Sequence, residues 1–151
     1  MFSDVEAFVY SILIFLLVAL VIAVVFFVVQ AIGLYMIAKG QGRPNAWMAW
    51  VPLVNLYLMG MMVEDRYGQN MKYIYPLAAV TGIVGGFIPV VGTLLVVLQP
   101  IVSFVLGVVV VAEILKPYFG KAGAILLAIF IAPVGFLIAG ILHNRQLVGK
   151  L

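Results

Sequence analysis

The sequence predicts an all-α integral membrane helical bundle, with about four transmembrane helices and one Pro-broken interfacial or re-entrant helix. Three observations predict it. Of 151 residues, 67% are hydrophobic and only 9% charged, against roughly 45–50% and about 25% in soluble domains. Several apolar runs exceed the roughly 18 residues that mark a membrane-span candidate. The charges sit singly at the ends of those runs, where orientation signals belong. No stretch is left over for a soluble domain, so residues 1–151 read as a single transmembrane domain.

Eight basic and five acidic residues give a net charge of +3. No basic stripe of the kind that grips a phosphate backbone is present, so nucleic acid is not an expected partner. Cysteine is absent, which removes disulfides, thiolate metal sites and thiol redox chemistry. Met1–Ala7 carries Asp4 and Glu6 and no basic side chain. A cleavable signal has the opposite charge and a short apolar core, so the first run reads as a retained span.

That span covers about residues 8–38, with Ser11 and Gln30 as its only polar side chains. Ala19, Ala23, Gln30 and Gly33 share one face at helical spacing. Small residues there let a second helix approach closely, and an amide can bond across the contact. Lys39–Asn45 is a polar turn rich in chain breakers. Residues 46–62 follow, an apolar element with Pro52 in its middle and Asn55 just beyond. Trp47, Trp50 and Tyr57 are side chains that favour a membrane–water interface. A short helix on either side of the Pro52 break, lying at the interface, is expected. Glu64-Asp65-Arg66 and Gln69-Asn70 read as a solvated loop.

The second span, 73–88, carries Ala78, Gly82 and Gly86 at four-residue intervals, a close-packing face. A tight apolar turn through Gly85-Gly86 and Pro89 leads to the third span, 93–115, broken once at Gln99-Pro100. A fourth, 122–142, repeats the small-residue device at Ala124, Ala128, Ala132, Gly135 and Ala139, with Pro133 expected to bend it. In this four-span arrangement Lys39, Arg43, Arg66, Lys72, Lys116 and Lys121 share one side, and only Arg145 and Lys150 the other. The positive-inside rule then places both termini outside. Both tryptophans and every tyrosine but Tyr10 fall near the inner side.

Chemistry is sparse. Asp4 and Glu6 are terminal, Glu64 and Asp65 lie in a loop, His143 reads as a solvated residue at a helix end, and no serine has a base partner in sequence. A zinc site needs a cluster of ligands, and none is offered. No enzyme, cofactor or metal is expected. Glu113 is the residue whose placement costs most, because acids inside a membrane are expensive and are functional candidates by default. Two readings stay open. Glu113 pairs at the headgroup level with Lys116, less than one turn away; or Gln99, Ser103 and Glu113 form a polar seam along the helix.

With these residues in place, the chain resembles a family of uncharacterised small multi-pass prokaryotic membrane proteins. The resemblance rests on Trp47/Trp50 with Ala49, Val51-Pro52, Asn55 and Tyr57, then Ile88-Pro89, then Glu113, Lys116 and Phe119-Gly120-Lys121, and finally Pro133. It covers about residues 32–141, with Gly92 where the family commonly has asparagine and a longer, more charged loop at 63–72. The resemblance implies a prokaryotic cytoplasmic membrane and a helical fold, and no activity. Family members are sometimes labelled signal peptidases, but no Ser-Lys dyad is present here. The leading expectation is a non-enzymatic accessory or scaffold subunit that packs against other membrane proteins or itself. A small oligomeric transporter or channel using the Gln99–Ser103–Glu113 seam is the alternative. A lipid-interacting envelope protein acting through the Trp47, Trp50 and Tyr57 surface is a third.

Overall fold

A computed structural model describes residues 4–85 and 92–148, and every element among them is helical. In chain order these are α1 (Asp4–Gly40), a 3-10 turn (Ala46–Trp50), α2 (Val54–Met62), α3 (Glu64–Tyr67), α4 (Met71–Gly85), α5 (Gly92–Phe130) and α6 (Ala132–Val148). Asp4–Gly40 and Leu98–Phe130 are long and apolar enough to cross a membrane. Gly86, the Ile88-Pro89 motif, the turn it was expected to make, and Lys150 lie outside the described residues, as does the packing of Gly82.

Backbone breaks determine the architecture. Gly120 interrupts α5 with φ +69° and ψ 176°, a combination that is essentially glycine-only because a Cβ would collide with the backbone. The chain turns back there, and 121–130 runs along the arm it has just left. A second reversal follows at Ile131, the one non-helical residue between α5 and α6. A Cβ on Gly135 would lie 3.3 Å from Leu127 Cβ and 2.8 Å from Leu115 Cδ1, whereas eight residues of continuous helix would put about 12 Å between residues 127 and 135. Both polar groups of Ile131 stay paired: its N–H donates to Leu127 O at 2.9 Å and its carbonyl accepts from Gly135 N–H at 3.1 Å. Pro133 sits in the first turn of α6, where a missing N–H costs nothing.

This corrects the expected fourth span. Residues 122–142 do not form one bent helix. They form a segment of about 15 Å and a return helix, so 98–119, 121–130 and 132–148 zigzag. The far end of α6 comes back to the level of Tyr118, whose Oη is 2.9 Å from His143 Nδ1. Alongside, α6 runs parallel to α1: Gly33 abuts the backbone of Phe136, Gly140 abuts Gly33 and Met36, and Asn144 borders the same hollow as Lys39 and Gly40. Lys39, Arg43, Arg66, Lys72, Lys116, Lys121 and Arg145 therefore gather at one end of the molecule. The expected separation of Arg145 from the other six is overturned, and with it the ground for placing both termini on one side.

The core lies at that basic end. Leu34, Ile37, Ala49, Leu58, Met59, Val110, Leu115, Phe136 and Ala139 form one buried cluster across α1, the 3-10 turn, α2, α5 and α6. Ala128 and Ala132 pack partly buried against it. Glycines make the tight crossings: a Cβ on Gly60 would stand 2.6 Å from Met71 O and 2.7 Å from Lys72 Cα. Residues 4–26 of α1 are exposed on all sides. Ala19 and Ala23, expected as packing residues, are exposed among the described residues; the same stripe lower down, at Gln30 and Gly33, is covered. The difference arises because α6 begins only after the Ile131 reversal and never reaches the upper half of α1.

Candidate functional site

Helical spacing puts Lys116 one turn from Glu113, and Lys116 Nζ lies 3.3 Å from Glu113 Oε1. A second cation comes from far along the chain. Val63 and Gly68 bound a single turn of helix, α3, with Gly68 N–H donating to Glu64 O at 2.8 Å. This turn carries Arg66 across to α5, where its guanidinium pairs with the same carboxylate oxygen. The segment expected to be a solvated loop thus supplies the main partner of Glu113, whose side chain is only 17% exposed. One of the two acids of the turn, Glu64, lies 3.1 Å from Lys72 Nζ.

Beside Glu113 is a cavity of about 240 Å³ between the two arms that meet at Gly120. Its apolar wall is Val108, Val109, Ala112 and Ile125; its polar side is Tyr67, Glu113, Lys116 and Lys121. Lys121 has no acidic partner among the described residues. Two cations therefore pair with one carboxylate, and a third, Lys121, lines the same cavity where the chain reverses.

Gln99 and Ser103 belong to a separate group. Gln99 Nε2 donates to Ser103 Oγ at 2.9 Å, Ser103 Oγ donates to Ala78 O at 3.0 Å, and Gln99 Nε2 also donates to Ala78 O. Pro76, two positions before Ala78, lies within α4. The two side chains tie α5 to α4. Ser103 stands about 15 Å and Gln99 about 21 Å up the helix from Glu113, with Val110 fully buried between. The three residues of the expected seam do not form one lining.

At the 46–62 element a short helix does stand on each side of Pro52. In a 3-10 turn residues three apart eclipse, so Ala46 and Ala49 point inward while Trp47 and Trp50 point out together, 56% and 46% exposed. Pro52 is exposed, and Leu53 holds φ +68°, which reverses the chain into α2. Asn55 is buried, its N–H donating to Val51 O at 3.0 Å. Tyr57 packs its ring 5.9 Å from that of Tyr73. Gln30 Nε2 reaches Met59 Sδ at 3.9 Å, a weak acceptor, in keeping with a packing contact. The Tyr118–His143 link escaped sequence reading because the residues are far apart and the reversal that joins them is silent in hydropathy. Among the described residues no three of His, Asp and Glu come together.

No protein-family model, curated protein or solved structure matches the chain. Its own residues are what speak for its function.

Proposed function

We propose that the chain is a non-enzymatic multi-pass protein of a prokaryotic cytoplasmic membrane that works by packing against a partner membrane protein or a second copy of itself. The observation that carries this reading is the exposed 11–26 stretch of α1. There Ala19 and Ala23 continue the stripe that, at Gln30 and Gly33, this chain already covers for itself. In lipid, helix association depends on close backbone approach at small residues rather than on expelling water. A stripe half used internally and half open offers the same kind of contact to another helix.

In this reading α1, α4 and the 98–119 arm cross the bilayer. The segments 121–130 and 132–148 dip into it from the basic end and return. The seven basic residues at that end then mark the cytoplasmic side, with the N-terminus outside and the C-terminus inside. Resemblance to the small multi-pass family supports the compartment. The absence of native cysteine makes the test direct. Ala23→Cys in native membranes is expected to give a specific cross-linked species, and Ala23→Leu to abolish association while leaving the monomer folded. A chain that stays monomeric and partnerless at every position of the 8–26 stretch defeats the proposal.

A further inference from the structure

We infer that the cavity at the Gly120 reversal is a binding site for the phosphate headgroup of an anionic phospholipid, an inference that rests on the membrane reading above. Three features of the cavity converge. It has the chemistry of an amphiphile: an apolar wall of Val108, Val109, Ala112 and Ile125 facing a polar side that carries Lys116 and Lys121. Its charge is unbalanced, because its lining carries two lysines, Lys116 and Lys121, against the single carboxylate of Glu113, which Arg66 pairs with from outside the lining. Its volume, about 240 Å³, suits a phosphate and the first carbons of its ester rather than a whole lipid.

Depth agrees as well. The cavity sits where the 98–119 arm ends among the basic residues, which in the membrane reading is the level of the inner headgroups. Basic pockets between helices on that side are where anionic headgroups bind. Glu113 then orients cations instead of conducting an ion. Paired to Arg66 and Lys116, it holds both side chains beside the cavity and leaves Lys121 to meet the phosphate. The acyl chain would run along Val108 and Ile125, covering the seam that the reversal leaves open.

The full chain in nanodiscs of phosphatidylcholine with a minor share of phosphatidylglycerol, released into native mass spectrometry, tests this. Retention of phosphatidylglycerol over phosphatidylcholine is expected. Lys121→Gln and Lys116→Gln should each weaken that retention about fivefold. Ala112→Phe, which fills the cavity, should lower it too, and Lys39→Gln, at the same end but off the cavity, should not. Inorganic phosphate at millimolar concentration should fail to displace the lipid, since it cannot use the apolar wall. Equal retention of both lipids overturns the inference, as does a Lys121→Gln result no different from Lys39→Gln. Displacement by inorganic phosphate overturns it in favour of a free-phosphate site. If the chain inserts but does not discriminate, this inference alone falls. If it does not enter the bilayer, the membrane reading falls and takes the inference with it.

Discussion

Two kinds of residue hold the basic end together, and they differ in what a substitution costs. Gly33 is a matter of space: any Cβ there meets the Phe136 backbone, which has no rotamer to give. Gly33→Ala is expected to cost about 3 kcal/mol in detergent unfolding. Gly107→Ala, whose new methyl would find Tyr75 Oη at an ordinary 3.7 Å, is expected to be nearly silent. Glu113 is a matter of charge. Its partners Arg66 and Lys116 keep half or a third of their side chains exposed, so water screens what is lost, and Glu113→Gln is expected to cost about 1 kcal/mol or less. The Glu113–Lys116 pair was legible in the sequence because one helical turn separates the two. Arg66 was not. It lies 47 positions away, in a charged run that reads as solvent-facing until the fold of α3 is known. Gly60 and Gly140 were equally invisible as contacts, since a glycine in a helix shows its purpose only once its neighbour is in place.

Among elements, the 46–62 segment and the zigzag give opposite lessons. Pro52 announced its break, because proline removes a donor and restricts the residue before it wherever it stands. The reversal at Gly120 was hidden. The run 122–142 is long and apolar enough to cross a bilayer, and apolarity has no direction, so nothing in its composition separates crossing from doubling back. Pro133 read as a bend in a span, while the structure uses it to start a helix. The conformation at Gly120 supplies the test. Gly120→Ala forces a Cβ into a region reserved for glycine and is expected to lose about 1–3 kcal/mol. Replacement at Gly123, where the new methyl meets only Phe119 Cβ at 3.3 Å, is expected to cost less. Equal melting points for the two variants would mean that 120 is not the hinge.

At the scale of the whole molecule, the zigzag brings Arg145 to the end that holds Lys39 and Lys121, which in the membrane reading proposed above puts the two termini on opposite faces. Cysteines placed singly at Lys39, Lys121 and Arg145 are expected to react with an impermeant maleimide from the same face of sealed vesicles, and one at Glu6 from the other. The sequence's own charge count, with Arg145 opposite the rest, predicts the reverse for Arg145, so the two arrangements part on one measurement. The composition made lipid the expected solvent, and two helices, Asp4–Gly40 and Leu98–Phe130, are long and apolar enough to cross a membrane. Composition did not show how unevenly the mass is spread along the long axis, because that depends on where helices stop, not on what they are made of.

That unevenness has a geometric corollary. At the basic end α1, the 46–62 element, α4, α5 and α6 pack together, whereas residues 11–26 of α1 are exposed. In the membrane reading the described residues are thus broader at the inner leaflet, and a wedge of that kind relieves lateral pressure only where a lipid sheet bends toward its narrow side. Sorted between large and small liposomes with the basic end in the same leaflet, the protein is expected to favour whichever curvature spreads the headgroups around Trp47, Lys72 and Lys121.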